Sequence, residues 1–120
     1  MGKLKVLIVD DDAVFAENFR KYLEIMGYEA AKAGTAESAL KLIKDTKPDI
    51  LLCDLKLPDV DGNEIVRQTK GLSPKTIIFV VSAYVDTNTE LRLKKLGISK
   101  LIYKPIVFDE VLEMFKKATP

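Results

Sequence analysis

Apolar and polar positions follow two rhythms along this chain. Short continuous apolar runs are separated by longer stretches in which apolar residues recur every three or four positions. The first run, Leu4 to Val9 (LKVLIV), is rich in branched side chains, as a strand buried on both faces should be. The next stretch carries Phe15, Phe19, Tyr22 and Met26 at spacings of 4, 3 and 4, which puts all four on one helix face. Asp12 suits the N-cap of that helix and Gly27 its C-terminal cap. A short strand is predicted near Tyr28–Ala33. A helix capped by Thr35 follows, with Ala36, Ala39, Leu40 and Ile43 on its inner face. Asp49 to Leu55 (DILLCDL) reads as the third strand. Pro58, Asp59, Asp61 and Gly62 then mark a loop, and a short helix is predicted around Glu64–Lys70. Thr76 to Val81 (TIIFVV) is the fourth strand and runs into Ser82, Ala83 and Tyr84. A polar, helix-compatible stretch extends from about Asp86 to Gly97. Lys100 to Tyr103 is a short fifth strand closed by Lys104 and Pro105. The last helix shows Phe108, Val111, Leu112 and Phe115 on one face.

This is a β-α unit repeated five times. Such alternation predicts an α/β fold, a parallel sheet with helices on both faces. Ligands of open sheets of this kind bind outside the carboxyl ends of the strands. The polar residues at those ends are therefore the candidate site.

Length and composition narrow the function classes. With 120 residues, the chain is expected to form one domain, 1–120, large enough to fold on its own core. A formal net charge of +1 supplies no global field for nucleic acid or anionic lipid, so neither direct nucleic-acid binding nor membrane association is expected. Cys53, the single cysteine, has no disulfide partner within the chain. There is no membrane-length apolar run and no secretory layout at the N-terminus, so a cytoplasmic location is expected. The absence of histidine excludes a histidine-based triad, a histidine metal site and a phosphohistidine carrier together.

The strand ends carry a coherent set of groups. Asp10 and Asp11 follow the first strand, Asp54 ends the third, Ser82 the fourth and Lys104 the fifth. Two carboxylates about 4 Å apart repel by roughly 4 kcal/mol at an effective dielectric near 20. Three together call for a cation, and a hard divalent ion such as Mg²⁺ answers an all-oxygen donor set. Lys104 adds an ammonium and Ser82 a hydroxyl. Together these are the parts that phosphoryl transfer needs, and a carboxylate can itself be the nucleophile.

At this point the chain resembles a known family, the receiver domains of two-component response regulators. The matching motifs are the acidic pair in VLIVDDD, the DILLCDLKLPDVDG block around Asp54, the hydroxyl in FVVSA, and YKP at Lys104–Pro105. The resemblance implies a flavodoxin-like (βα)5 fold with strand order 2-1-3-4-5. It implies that Asp54 accepts a phosphoryl group from the phosphohistidine of a sensor histidine kinase or histidine phosphotransfer protein. It implies Mg²⁺ held by Asp11, by Asp10 mainly through water, by Asp54 and by the backbone carbonyl of Lys56. Ser82 and Lys104 would contact the phosphoryl group, and the peptide before Pro105 would be cis. The change would pass to the surface of the fourth helix, fifth strand and fifth helix, and so to an output domain or partner protein. The protein would be a monomer or a phosphorylation-dependent dimer. It would catalyse only its own phosphorylation and slow dephosphorylation.

The chain departs from the family pattern at Leu101, where many receivers carry a switch aromatic. Tyr103 stands two residues on, on the same side of the strand. In that family the positions held here by Lys56 and Tyr84 tune hydrolysis of the phosphoryl group, so the resemblance implies slow loss behind two bulky side chains. Arg92, Lys94, Lys95 and Lys100 form a basic stretch near the expected output face. Two other classes compete with a signalling switch. An aspartate-nucleophile phosphohydrolase would usually carry a second Asp two residues after the nucleophile, where this chain has Lys56. A receiver-like interaction module that accepts no phosphate would have little use for the retained site residues.

Overall fold

The three most apolar runs become the central strands of one sheet. In the computed structural model, which describes residues 2–120, β1 (Lys5–Val9), β3 (Ile50–Asp54) and β4 (Ile77–Ser82) lie side by side. β2 (Glu29–Ala33) and β5 (Lys100–Tyr103) form the edges. The order is β2-β1-β3-β4-β5 and all neighbours are parallel. The helices are α1 (Ala13–Ile25), α2 (Ala36–Thr46), α3 (Gly62–Leu72), α4 (Thr87–Leu96) and α5 (Phe108–Ala118). This is the parallel α/β sheet that the β-α repetition predicted, in the flavodoxin-like order that the family resemblance implied.

Alternation along each strand divides the interior into two cores. Val6, Ile8, Ile50, Leu52, Phe79 and Val81 face α1 and α5. Leu7, Val9, Leu51, Cys53, Ile78 and Val80 face α2, α3 and α4. A strand buried on both faces has no polar alternation to show, which is why these runs are continuous. The α1–α5 side is aromatic. The Phe19 ring lies tilted 4.7 Å from Phe108, Phe115 lies 5.0 Å from Phe79, and the Tyr22 hydroxyl donates to Asp109 Oδ1 at 2.5 Å.

Local chemistry sets the element ends. Asp12, Thr35, Asp61 and Asp86 accept hydrogen bonds from the first-turn amides of α1, α2, α3 and α4. Gly27 and Gly97 follow α1 and α4 with φ of 96° and 87°, left-handed values that cost glycine little. One expectation is corrected here. Met26 does not continue the inner face of α1. The helix ends at Ile25, and the chain turns at Met26 and Gly27, leaving Met26 exposed. The third helix is also longer than its periodicity suggested, because Asp61 caps it two residues earlier.

Candidate functional site

Parallel pairing in register brings the carboxyl ends of the strands together. Val9 is opposite Cys53, Asp54 opposite Val81, and Ser82 opposite Tyr103. Asp10 therefore leaves β1 beside the end of β3, and Lys104 leaves β5 beside the end of β4. Carboxylate oxygens of Asp10, Asp11 and Asp54 lie within 4.8 Å of one another. Asp10 and Asp54 are each only 4% exposed, whereas Asp11 faces solvent.

Each buried carboxylate is held by named donors. The Asp12 amide donates to Asp10 Oδ1 at 2.9 Å. The Lys56 amide donates to Asp54 Oδ1 at 2.9 Å, and the Lys104 ammonium donates to Asp54 Oδ2 at 2.6 Å. Burial raises the Asp10 pKa above the ordinary carboxylate value, the Asp12 amide opposes this, and the charge of Asp54 adds to it. Burial also disfavours the Lys104 ammonium, yet its bond to Asp54 and the surrounding negative charge outweigh that and raise its pKa. One ammonium thus faces three carboxylates. The donor set is oxygen only, the oxygens are close enough to share one ion, and the residual charge is negative, so the cluster suits a hard divalent cation.

The loop after β3 is built tightly around Asp54. Lys56 and Asp61 form an isolated antiparallel bridge across it. The Gly62 amide donates to Leu55 O at 2.9 Å. A Cβ on Gly62 would sit 2.6 Å from the Asp54 carbonyl oxygen and 2.6 Å from Leu55 Cα, so only glycine fits there. Asp59 reaches away from the loop and accepts from the Ala36 and Glu37 amides at 2.9 and 3.2 Å. Those two bonds fasten the loop to the N-terminus of α2. The Ala36 bond is the main reason the Asp59 pKa lies below its ordinary value.

Of the residues singled out from sequence, Asp10, Asp11, Asp54 and Lys104 meet at one point. Lys56 reaches it through its backbone amide. Ser82 is buried at the end of β4, but its hydroxyl serves its own loop. It donates to Tyr84 O at 2.9 Å and accepts from the Tyr84 amide at 3.3 Å. The Tyr84 side chain is 75% exposed. Tyr103 is 48% exposed, while Leu101 packs against the α2–α3–α4 core. The Lys104–Pro105 peptide is cis. Asp59 was read from sequence only as part of a loop. Its capping role depends on a partner 23 residues away, which local spacing does not reveal.

A family profile described as response regulator receiver domain matches residues 6–116. The chain is 30% identical over 117 residues to the transcriptional regulatory protein ZraR of Salmonella typhimurium, covering 98% of this chain but 26% of that protein. It therefore spans about a quarter of the length of that curated relative. It is 29% identical to sporulation initiation phosphotransferase F of Bacillus subtilis, covering 97% of this chain and 94% of that protein. A solved structure of a CheY-like response regulator receiver domain protein from Methanospirillum hungatei superposes with a TM-score of 0.94 at 30% identity, covering 98% of this chain and 94% of that one.

Proposed function

The chain belongs to the response regulator receiver domain family, and from that premise we propose that it is a phospho-accepting switch whose acceptor is Asp54. The observation that carries this reading is the buried Asp54 carboxylate, held between the Lys56 amide and the Lys104 ammonium beside the oxygens of Asp10 and Asp11.

The donor is the phosphohistidine of a sensor kinase or phosphotransfer protein. An Asp54 oxygen attacks phosphorus, a P–O bond forms, and the P–N bond to imidazole breaks. Oδ1 is steadied by a backbone amide, so Oδ2, whose partner is the 40%-exposed side chain of Lys104, is the attacking oxygen. Lys104 then follows the charge onto a phosphoryl oxygen. Asp10, Asp11, Asp54 and the Lys56 carbonyl would hold Mg²⁺, which when bound neutralises the charge of the phosphoryl oxygens. Mostly the chain contributes positioning and electrostatics, consistent with self-modification at Asp54 rather than turnover of a small substrate.

In the second stage Ser82 leaves Tyr84 O and turns its hydroxyl to the new phosphoryl oxygens. That exchange breaks a local hydrogen bond in the β4–α4 loop and biases the surface of α4, β5 and α5. An output domain or partner protein reads that surface.

The test is phosphotransfer from a ³²P-labelled histidine phosphotransfer domain. Label should move to the wild-type chain in the presence of Mg²⁺ and fail to move to Asp54→Asn. Steady release of phosphate from an unrelated phosphoester would favour the hydrolase reading instead.

A further inference from the structure

The basic residues of α4 do not form one face. Lys94 lies toward β5, pairs with Glu90 at 3.5 Å, and lines a pocket with Lys100 and Tyr103. Arg92 and Lys95 turn the other way. Together with Leu96 and with Asn63, Glu64 and Arg67 of α3, they line a groove of about 400 Å³ between α3 and α4. Helix geometry accounts for the division. Leu93 is buried against the sheet, so residues 92 and 96 fall on one flank of α4 and residues 90 and 94 on the other. Lys95 and the half-exposed Leu91 then stand near the crest, one turn apart.

The groove holds three cations and one carboxylate. Glu64 is already taken by Arg67 and Gln68. Elsewhere on the helices, Arg20, Lys94 and Lys116 each have a carboxylate one turn away. Among the described residues Arg92 donates only to the Thr89 hydroxyl at 3.2 Å, and neither it nor Lys95 forms an ion pair. Two positive charges without an ion pair therefore flank a floor made of Leu96 and the aliphatic stems of the arginines and lysine.

We propose that the α3–α4 groove docks an acidic amphipathic helix of a partner protein. Carboxylates along one edge of that helix pair with Arg92 and Lys95, and its apolar residues cover Leu96, Leu91 and the side-chain stems. A nucleic acid is a poorer fit. The groove is short, Glu64 opposes a phosphate backbone, and the net charge of +1 gives no wider positive field. The surface is separate from the strand-end site and does not depend on the chemistry assigned to Asp54.

The probe is a synthetic helical peptide with leucines at i, i+3, i+4 and i+7 and glutamates flanking them, titrated into the ¹⁵N-labelled chain. Its Glu→Gln counterpart serves as the charge control. Amide shifts should map to residues 63–67 and 92–96. The paired substitution Arg92→Glu with Lys95→Glu should weaken binding by about tenfold or more, as should the Glu→Gln peptide. Lys94→Glu with Lys100→Glu should leave binding in place. Both chains should still unfold in one cooperative transition, since all four side chains are exposed, with the second pair starting slightly lower because it loses the Lys94–Glu90 ion pair. The proposal is overturned by shifts that map to β5 and vanish with the second pair, by no saturable binding of the acidic peptide, or by tighter binding of a DNA oligonucleotide.

Discussion

At the scale of single residues, the site is a contest between burial and charge. Gly62 decides how closely the β3–α3 loop can pass under Asp54. Gly62→Ala places a methyl group against backbone that has no room to move, and it should cost about 1–3 kcal/mol in denaturant unfolding while lowering phosphoryl acceptance. Asp59 acts through its two amides. Its folded pKa is depressed, so its contribution to stability is present above the ordinary value of 3.8 and is lost as pH falls through the lower folded value. Thermal melts should therefore show Asp59→Ala below wild type at neutral pH, with the gap closing as pH drops below 3.8. A constant gap across that window would mean that the carboxylate is not the cause. Lys56 and Tyr84 carry exposed side chains on the two loops beside Asp54. Lys56→Ala and Tyr84→Ala should each speed loss of the phosphoryl group, read as decay of the labelled protein. Unchanged decay in both would remove the screening role. The carboxylates and lysine were legible because they follow strands directly. The orientation of the Ser82 hydroxyl and the partner of Asp59 were not, because a rotamer and a distant cap leave no periodic trace.

At the scale of elements, burial explains what the sequence could and could not show. β1, β3 and β4 are buried on both faces, so their apolar runs stood out. β2 is an edge strand of sequence EAAKA and mostly exposed, and its signal was weak for that reason. Met26 was misplaced because a 3.6-residue period says nothing about where the chain leaves the helix. The α1–α5 contact offers a direct check of packing. Phe19 is fully buried among Phe15, Tyr22, Phe108 and Phe115, so Phe19→Ala should cost about 3–5 kcal/mol in urea unfolding. Tyr22 tests the polar rim of the same contact. Its hydrogen bond to Asp109, helped by burial, raises its pKa from 10.0 to about 12. The neutral phenol stabilises the fold fully below pH 10, and that contribution is lost as pH rises through 12. The stability difference between wild type and Tyr22→Phe should shrink over that interval and stay flat below it.

At the scale of the whole molecule, the fold gathers charged and hydroxyl side chains from four strands at one edge of the sheet. The sheet holds Asp10, Asp54, Ser82 and Lys104 at adjacent strand ends, and the same strands run back into both cores. A ligand that binds only this assembled cluster stabilises the folded chain by mass action. Mg²⁺ should therefore raise the unfolding midpoint of wild type, and do so far less for Asp11→Ala, whose exposed carboxylate belongs to the cluster but to neither core. Among the described residues no helix is long and apolar enough to cross a membrane. The central claim is that Asp54 is the acceptor. It is tested most directly by treating the chain with acetyl phosphate, with and without Mg²⁺, and mapping the modified residue by peptide mass spectrometry after borohydride reduction. The account predicts one phosphoryl group, dependent on Mg²⁺ and located at Asp54. Modification at Asp10, Asp11 or a hydroxyl residue, or none at all, would contradict it.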